Sequence, residues 1–374
     1  MNAAPVRVLV VEDSPIALTI LVRILSTAKG LEVVGTARNG RQALSLIPQL
    51  EPAVICTDFF MKGMDGLELT RQVMAYYPRP ILVLSVIGSR IDAAKHVLEL
   101  REAGVVDVMA KPASGLPADY EKLSTQLIEK IRILAGVKVL TKPLSRSQKP
   151  LESKGSVVNP VSLSKSRAQV SSPRFIQYGE RNSLPYRIVA IGASTGGPNA
   201  TYRVLMKLPP KFPLPIVCVQ HISTGFLAGL VNWLNRECAL TVKIAIAGES
   251  PKPGYVYYAP EERHLELDSQ GRFKLLDTPQ REKHRPSIST LFEAIARVYG
   301  ETAVGVLLTG MGRDGAAGLN AIATAGGLTV AQDEASSVVF GMPKEAIEMG
   351  AAQEVLAIDE IGSWLGQQII RKRE

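Results

Sequence analysis

The feature that most constrains this chain is a unit that recurs along it. A short run of aliphatic and β-branched residues, apolar at nearly every position, ends abruptly in an acid, a hydroxyl or a glycine, and a helical apolar spacing follows. Val6-Arg-Val-Leu-Val-Val11 ends in Glu12-Asp13-Ser14-Pro15, Ala53–Thr57 runs into Asp58, Pro80–Ser85 ends in a hydroxyl, and Val105–Ala110 ends in Lys111-Pro112. With the short strand Glu32–Thr36 these make five βα units in about 120 residues. Continuous apolar runs mark strands buried on both faces, so the pattern calls for an α/β fold, a doubly wound parallel sheet with crossover helices on either side. The same unit resumes at Tyr186, with Ile188–Ile191 feeding Gly192-Ala-Ser-Thr-Gly-Gly-Pro198, Pro215–Gln220 feeding His221, Ala303–Leu308 feeding Thr309, and Gly327–Gln332 feeding Asp333. Two such sheets are expected.

The segment between them has no apolar period. Val137 to Leu184 holds ten serines and nine Lys or Arg against two acids, a net +7 out of +8 for the whole chain of 374 residues. The expected organisation is therefore a first domain over 5–136, a flexible basic Ser/Pro-rich linker over 137–184, and a second domain over 185–374. Because the excess charge sits in a segment without interleaved aromatics, no nucleic-acid surface is expected. Three cysteines without metal-ligand spacing read as core residues in a reducing compartment. No signal-like or membrane-length apolar run is present, so a cytoplasmic protein without membrane insertion is expected.

In open parallel sheets the working residues lie at the carboxyl ends of strands. The first sheet delivers Glu12, Asp13, Asp58, Ser85 and Lys111 to that edge. Carboxylates that converge repel one another unless a cation joins them, and Mg²⁺ prefers such oxygen ligands, so Glu12, Asp13 and Asp58 form the candidate metal site. Asp58 would then accept a phosphoryl group whose oxygens Ser85 and Lys111 hold. On these residues the first part, from residue 5 to about 122, resembles a response-regulator receiver domain of flavodoxin-like fold. That resemblance implies phosphorylation of Asp58 by a histidine kinase. Two positions depart from the family's habit, Lys62 where proline is frequent and Val108 where an aromatic switch residue is frequent.

In the second sheet Gly192-Ala-Ser194-Thr-Gly196 fits the nucleophile elbow G-x-S-x-G, although a phosphate-binding turn would use the same residue types. The second glycine of a dinucleotide fingerprint is missing and the next strand ends in Gln-His rather than an acid, which argues against a nucleotide. His221 ends a buried strand, whereas His264 follows the charged Glu261-Glu-Arg run beside an expected hairpin and His284 lies in a polar loop; either could face a substrate, but neither ends a buried strand. A serine needs an imidazole to take its proton, and the imidazole needs an anion to orient it, so Ser194, His221 and Asp314 are the candidate catalytic set. Asp333 is the rival acid. The order Ser, His, Asp differs from that of α/β-hydrolases and argues against that fold. Backbone N–H groups of Thr195 or Met311 are the candidate oxyanion donors.

Ala190-Ile-Gly-Ala-Ser-Thr-Gly-Gly-Pro, Val219-Gln-His221, His284-Arg-Pro-Ser287 and Leu308-Thr-Gly-Met-Gly-Arg-Asp-Gly-Ala-Ala-Gly resemble the chemotaxis protein-glutamate methylesterases. The similarity continues through Ala331-Gln-Asp-Glu-Ala and Val339-Phe-Gly-Met-Pro-Lys, and with the receiver in front it extends to the two-domain architecture. It implies a Rossmann-like serine hydrolase needing no cofactor in its esterase domain. It further implies substrates that are γ-glutamyl methyl esters on the cytoplasmic part of chemoreceptors, and deamidation of certain receptor glutamines to glutamate. An unphosphorylated receiver covering the Ser194 edge is the expected means of control. A non-enzymatic adaptor would be expected to have lost one of the three polar groups, and a transcription factor would need a basic recognition helix where strands and glycine loops stand instead.

Overall fold

The computed structural model describes residues 4–85, 99–100, 103–111, 117–137, 139, 186–279, 281 and 284–370. The linker expected over 137–184 lies, apart from Val137 and Val139, outside these residues. Five strands, β1 (Val6–Val11), β2 (Leu31–Ala37), β3 (Val54–Asp58), β4 (Ile81–Ser85) and β5 (Asp107–Ala110), form a parallel sheet in the order β2-β1-β3-β4-β5. Period-two alternation splits β1 between two cores: Val8 and Val10 pack on one face with Leu21, Leu25 and Ile131, and Leu9 and Val11 on the other with Ile47, Leu69 and Val73. The fifth strand is shorter at its start than its composition suggests. The N–H of Val105 bonds the carbonyl of Leu100, closing a turn instead of joining the ladder.

The second sheet has seven strands. They are β6 (Ile188–Ala193), β7 (Ile216–Gln220), β8 (Thr241–Ile244), β9 (Tyr255–Tyr258), β12 (Ala303–Leu307), β13 (Leu328–Gln332) and β14 (Glu354–Leu356), in the order β14-β13-β12-β6-β7-β9-β8. Every pairing within it is parallel. An antiparallel hairpin, β10 (His264–Leu267) with β11 (Phe273–Leu276), stands apart from it. Two apolar clusters cover its faces, one with Trp233, Phe212 and Ile361, the other with Phe292, Leu291 and Tyr257. The α/β class and the two doubly wound sheets thus agree with the sequence. Cys56 and Cys218 are buried free thiols, and burial pushes Cys56 up to about 12. No helix among the described residues is long and apolar enough to cross a membrane.

Both strand orders reverse beside the first strand of their sheet. In the first sheet the chain leaves β1 toward β2 and returns on its other side as β3; in the second it leaves β6 toward β7 and later returns as β12. At such a reversal the loops following the two neighbouring strands open away from each other, leaving a crevice at the carboxyl edge. Asp58 and Glu12 flank one crevice, and Ser194 and Asp314 flank the other.

Candidate active site

Ser194 follows β6 directly and precedes the helix Gly197–Leu205, which has Pro198 in its first turn. The turn needs Gly196, whose φ of +78° is a left-handed conformation that L side chains rarely adopt. The backbone around Ser194 is held on both sides: its N–H donates to the carbonyl of Thr309 at 3.0 Å, and its carbonyl accepts from Gly197 N–H at 2.8 Å. Gln220 Nε2 joins the two neighbouring loops by donating to the carbonyls of Ser194 at 2.8 Å and His221 at 2.9 Å. A Cβ on Gly310 would lie 2.6 Å from that of Ser194, so only glycine lets the loop after β12 approach the serine this closely.

His221 leaves β7 one residue after Gln220, which pairs with Ala193, so the imidazole and the serine stand at the same level on adjacent strands. Its Nε2 lies 2.9 Å from Asp314 Oδ2. A carboxylate only accepts, so in the neutral ring Nε2 carries the hydrogen and Nδ1 the lone pair. That Nδ1 is buried and has no hydrogen-bond partner, and no hydrogen bond joins Ser194 Oγ to His221 among the described residues. One face of the His221 ring is covered by His284, stacked at 3.7 Å between centroids and 10° between planes.

Asp314, 2 % exposed, collects four donors. Besides His221 these are Ser287 Oγ at 2.9 Å and the backbone N–H groups of Ile288 at 2.8 Å and Ser289 at 3.0 Å. Ser287 caps the helix Ile288–Tyr299, so the carboxylate sits where the helix presents unpaired N–H groups and positive dipole. Burial would raise its pKa, but the bond and charge of His221 together with the two backbone donors outweigh it and hold the carboxyl well below the usual range. Asp333 is bonded to Ser336 instead, through both its N–H and its Oγ. The N–H groups of Thr195 and Met311 donate to no protein acceptor among the described residues.

In the first sheet, Lys111 Nζ lies 2.6 Å from Glu12 Oε2 and 2.7 Å from Asp58 Oδ2, all three residues being buried. One ligand oxygen each from Glu12, Asp13 and Asp58 falls within 4.8 Å of the others, and Asp58 Oδ1 is buried without a hydrogen-bond partner. Hard oxygen donors around an unsatisfied carboxylate fit a small divalent cation. Burial, only partly offset by Lys111, raises the pKa of Glu12. Burial pulls that of Lys111 down, but Asp58 and Glu12 together outweigh it and raise it. Ser85 ends β4 beside this group and is 8 % exposed.

The roles of Gln220, Ser287, His264 and His284 are not visible in spacing. His264 in particular, read from sequence as open to a substrate, is 1 % exposed, with Nδ1 accepting from Ser287 N–H and Nε2 bonded to the carbonyl of Pro279. The hairpin expected beside His264 is present, and His264 itself opens its first strand. His284-Arg-Pro-Ser287 was the one signal, a stretch whose likeness to known proteins exceeded what a polar loop requires.

Comparison with known proteins bears on the whole chain. Residues 189–365 match the family model of the CheB methylesterase, and residues 8–116 that of the response regulator receiver domain. A protein-glutamate methylesterase/protein-glutamine glutaminase of Myxococcus xanthus is 38% identical over 365 residues, covering 98% of this chain and 97% of that protein. One from Burkholderia thailandensis is 40% identical, covering 97% and 99% respectively. The crystal structure of the Thermotoga maritima CheB methylesterase catalytic domain is 42% identical, covers 48% of this chain and 97% of that one, and superposes with a TM-score of 0.47. The chain belongs to the family of protein-glutamate methylesterase/protein-glutamine glutaminases, with a receiver domain ahead of the methylesterase domain.

Proposed function

We propose that this chain is a phosphorylation-activated serine hydrolase that removes methyl esters from chemoreceptor glutamates, giving glutamate and methanol, and deamidates receptor glutamines to glutamate in chemotactic adaptation. The observation that carries this reading is the His221–Asp314 pair at the end of strands flanking Ser194, with Nδ1 of His221 left as the base. Ser194 Oγ attacks the ester carbonyl while its proton passes to His221 Nδ1. Asp314, kept anionic by its buried donors, stabilises the imidazolium and fixes its tautomer. The N–H groups of Thr195 and Met311 meet the oxyanion, and a proton from His221 leaves with methanol, or with ammonia in the deamidation. Water activated by the same imidazole then releases the glutamate.

The first domain sets when this happens. Asp58 takes a phosphoryl group from a histidine kinase, the transferred oxygens met by Ser85 and Lys111. Glu12, Asp13 and Asp58 would hold Mg²⁺, which when bound would neutralise charge on the incoming phosphoryl group. The residue after the nucleophile supports a link between the domains: Thr195 Oγ1 lies 3.4 Å from Asp107 Oδ2 at the start of β5, and Lys130 pairs with the same carboxylate. In this reading the receiver stands over the Ser194 edge until phosphorylation shifts the population away from that form. Chemoreceptor substrates and a kinase donor support a cytoplasmic location. The test is methanol release from a methylated receptor fragment. Release must require Ser194 and rise with a small phosphodonor and Mg²⁺, and release that survives Ser194→Ala contradicts the reading.

A further inference from the structure

The two ring nitrogens of His264 have opposite partners. Pro279 offers a carbonyl oxygen 3.0 Å from Nε2, so Nε2 carries the hydrogen; Ser287 offers a backbone N–H 3.1 Å from Nδ1, so Nδ1 accepts. The ring is thereby a neutral clamp of fixed tautomer, buried at 1 % exposure against a Ser287 that is 0 % exposed. Ser287 and its two successors supply three of the four hydrogen bonds to Asp314, and the fourth comes from His221. Ser289 Oγ also accepts from Gly315 N–H at 2.8 Å, tying the loop behind Asp314 to the same helix start. The first backbone N–H of that helix start is the one His264 holds.

We propose that His264 is a positioning residue for the hydrolytic site: it fixes the start of the helix Ile288–Tyr299 through Ser287 and so sets where Asp314 meets His221 Nε2. This rests on the reading of Ser194, His221 and Asp314 given above. A hydrocarbon at 264 would leave the buried N–H of Ser287 without a partner, and the helix start would move toward whatever acceptor it could reach. A misplacement of about 1 Å can cost on the order of 10²-fold in rate, which is why a group that touches no reacting atom can control it.

Two replacements separate this role from a merely structural one. In His264→Asn the amide oxygen stands close to where Nδ1 stood and can still accept from Ser287, whereas in His264→Gln the amide nitrogen stands near Nε2 and only the Pro279 bond is kept. Both are compared with wild type in the full-length protein, by kcat and KM for methanol release and by the low-field proton resonance of the His221 Nε2–H···Asp314 bond, assigned by its loss in His221→Gln. At matched folded fraction, His264→Gln is expected to lower kcat by about tenfold or more with KM within about twofold and to displace the resonance. His264→Asn is expected to hold kcat within about threefold and leave the resonance in place. Ser287→Ala breaks the next link and should lower kcat and displace the resonance whether or not the Gln variant folds. Wild-type kcat and resonance in His264→Gln or in Ser287→Ala overturn the proposal, as does an Asn variant that falls as far as Gln. If Ser194→Ala still released methanol, the serine reading would fail, and the resonance would decide the role of His264 by itself.

Discussion

At the edge of the first sheet three acids cluster with a lysine paired to two of them, while at the edge of the second a single aspartate gathers four donors. Both stand at a reversal of strand order, and both bury carboxylates almost completely. The surroundings nevertheless push Glu12 and Asp314 in opposite directions. Glu12 has more burial than compensation and its pKa rises, whereas Asp314 has more donors than burial can oppose and its pKa falls. An edge left short of positive charge is suited to receive a cation and a phosphoryl group and to change when they arrive. An edge already satisfied is suited to hold an imidazole in one tautomer through repeated turnovers. The difference separates a switch from a reaction centre built on the same sheet plan.

The largest effect should come from removing the chemistry at one edge only. Ser194→Ala is expected to lower methanol release by at least about 10³-fold, while phosphoryl incorporation at Asp58, followed with a radiolabelled small donor, stays at the wild-type level. Loss of both would show that the two edges are not separable. Next comes Gly310→Ala, whose new methyl would meet Ser194 Cβ and Met342 Sδ, each at 2.6 Å. The serine must move, so kcat is expected to fall roughly 10- to 100-fold, without change in phosphorylation.

These edges were legible because strand-end chemistry is a matter of local sequence: an apolar run announces the strand, and the next polar residue is at the edge. Glu12, Asp58, Lys111, Ser194 and His221 all occupy such positions. Asp314 was harder, lying several residues beyond β12 in a glycine loop, with Asp333 as a rival that the fold bonds to Ser336 instead. The support behind Asp314 was not legible. Ser287 is joined to it across 27 residues, and His264 to Ser287 across 23, by contacts that exist only once a hairpin and a helix start are folded together. A polar context made His264 look exposed, whereas the fold closes over it. The late start of the β5 ladder at Asp107 was hidden similarly, because Val105 and Val106 suit a strand as well as the irregular segment they form.

A smaller effect should follow from uncovering His221. His284→Ala removes the stacked ring and is expected to lower kcat several-fold, about five- to tenfold, whereas His284→Phe, which keeps a ring there, should recover most of the loss. Equal losses in both would assign His284 a polar task instead.

The opposite pKa shifts sharpen the comparison through stability. Asp314 has a folded pKa below that of the unfolded chain, so its ionisation stabilises above about pH 4 and this is lost as pH falls through the folded value. Glu12 has a folded pKa above the unfolded one, so its penalty is absent in acid and grows as pH rises from about 4 through the folded value. Asp314→Asn should therefore destabilise at pH 7 and progressively less in acid, read by tryptophan fluorescence since Trp233 and Trp364 both lie in the second part of the chain. Glu12→Gln without Mg²⁺ should stabilise at pH 7 and lose that advantage in acid, read by circular dichroism. A shared sign for the two variants at pH 7 would dissolve the contrast.

Control of the second edge by the first is read in methanol release from a methylated receptor fragment with and without phosphodonor and Mg²⁺, in wild type and Asp58→Asn. The expected result is a clear rise with phosphodonor in wild type and none in Asp58→Asn, both proteins keeping the same basal rate. An equal rise in Asp58→Asn, or a wild-type rate indifferent to the donor while Asp58 is shown to be phosphorylated, would contradict it.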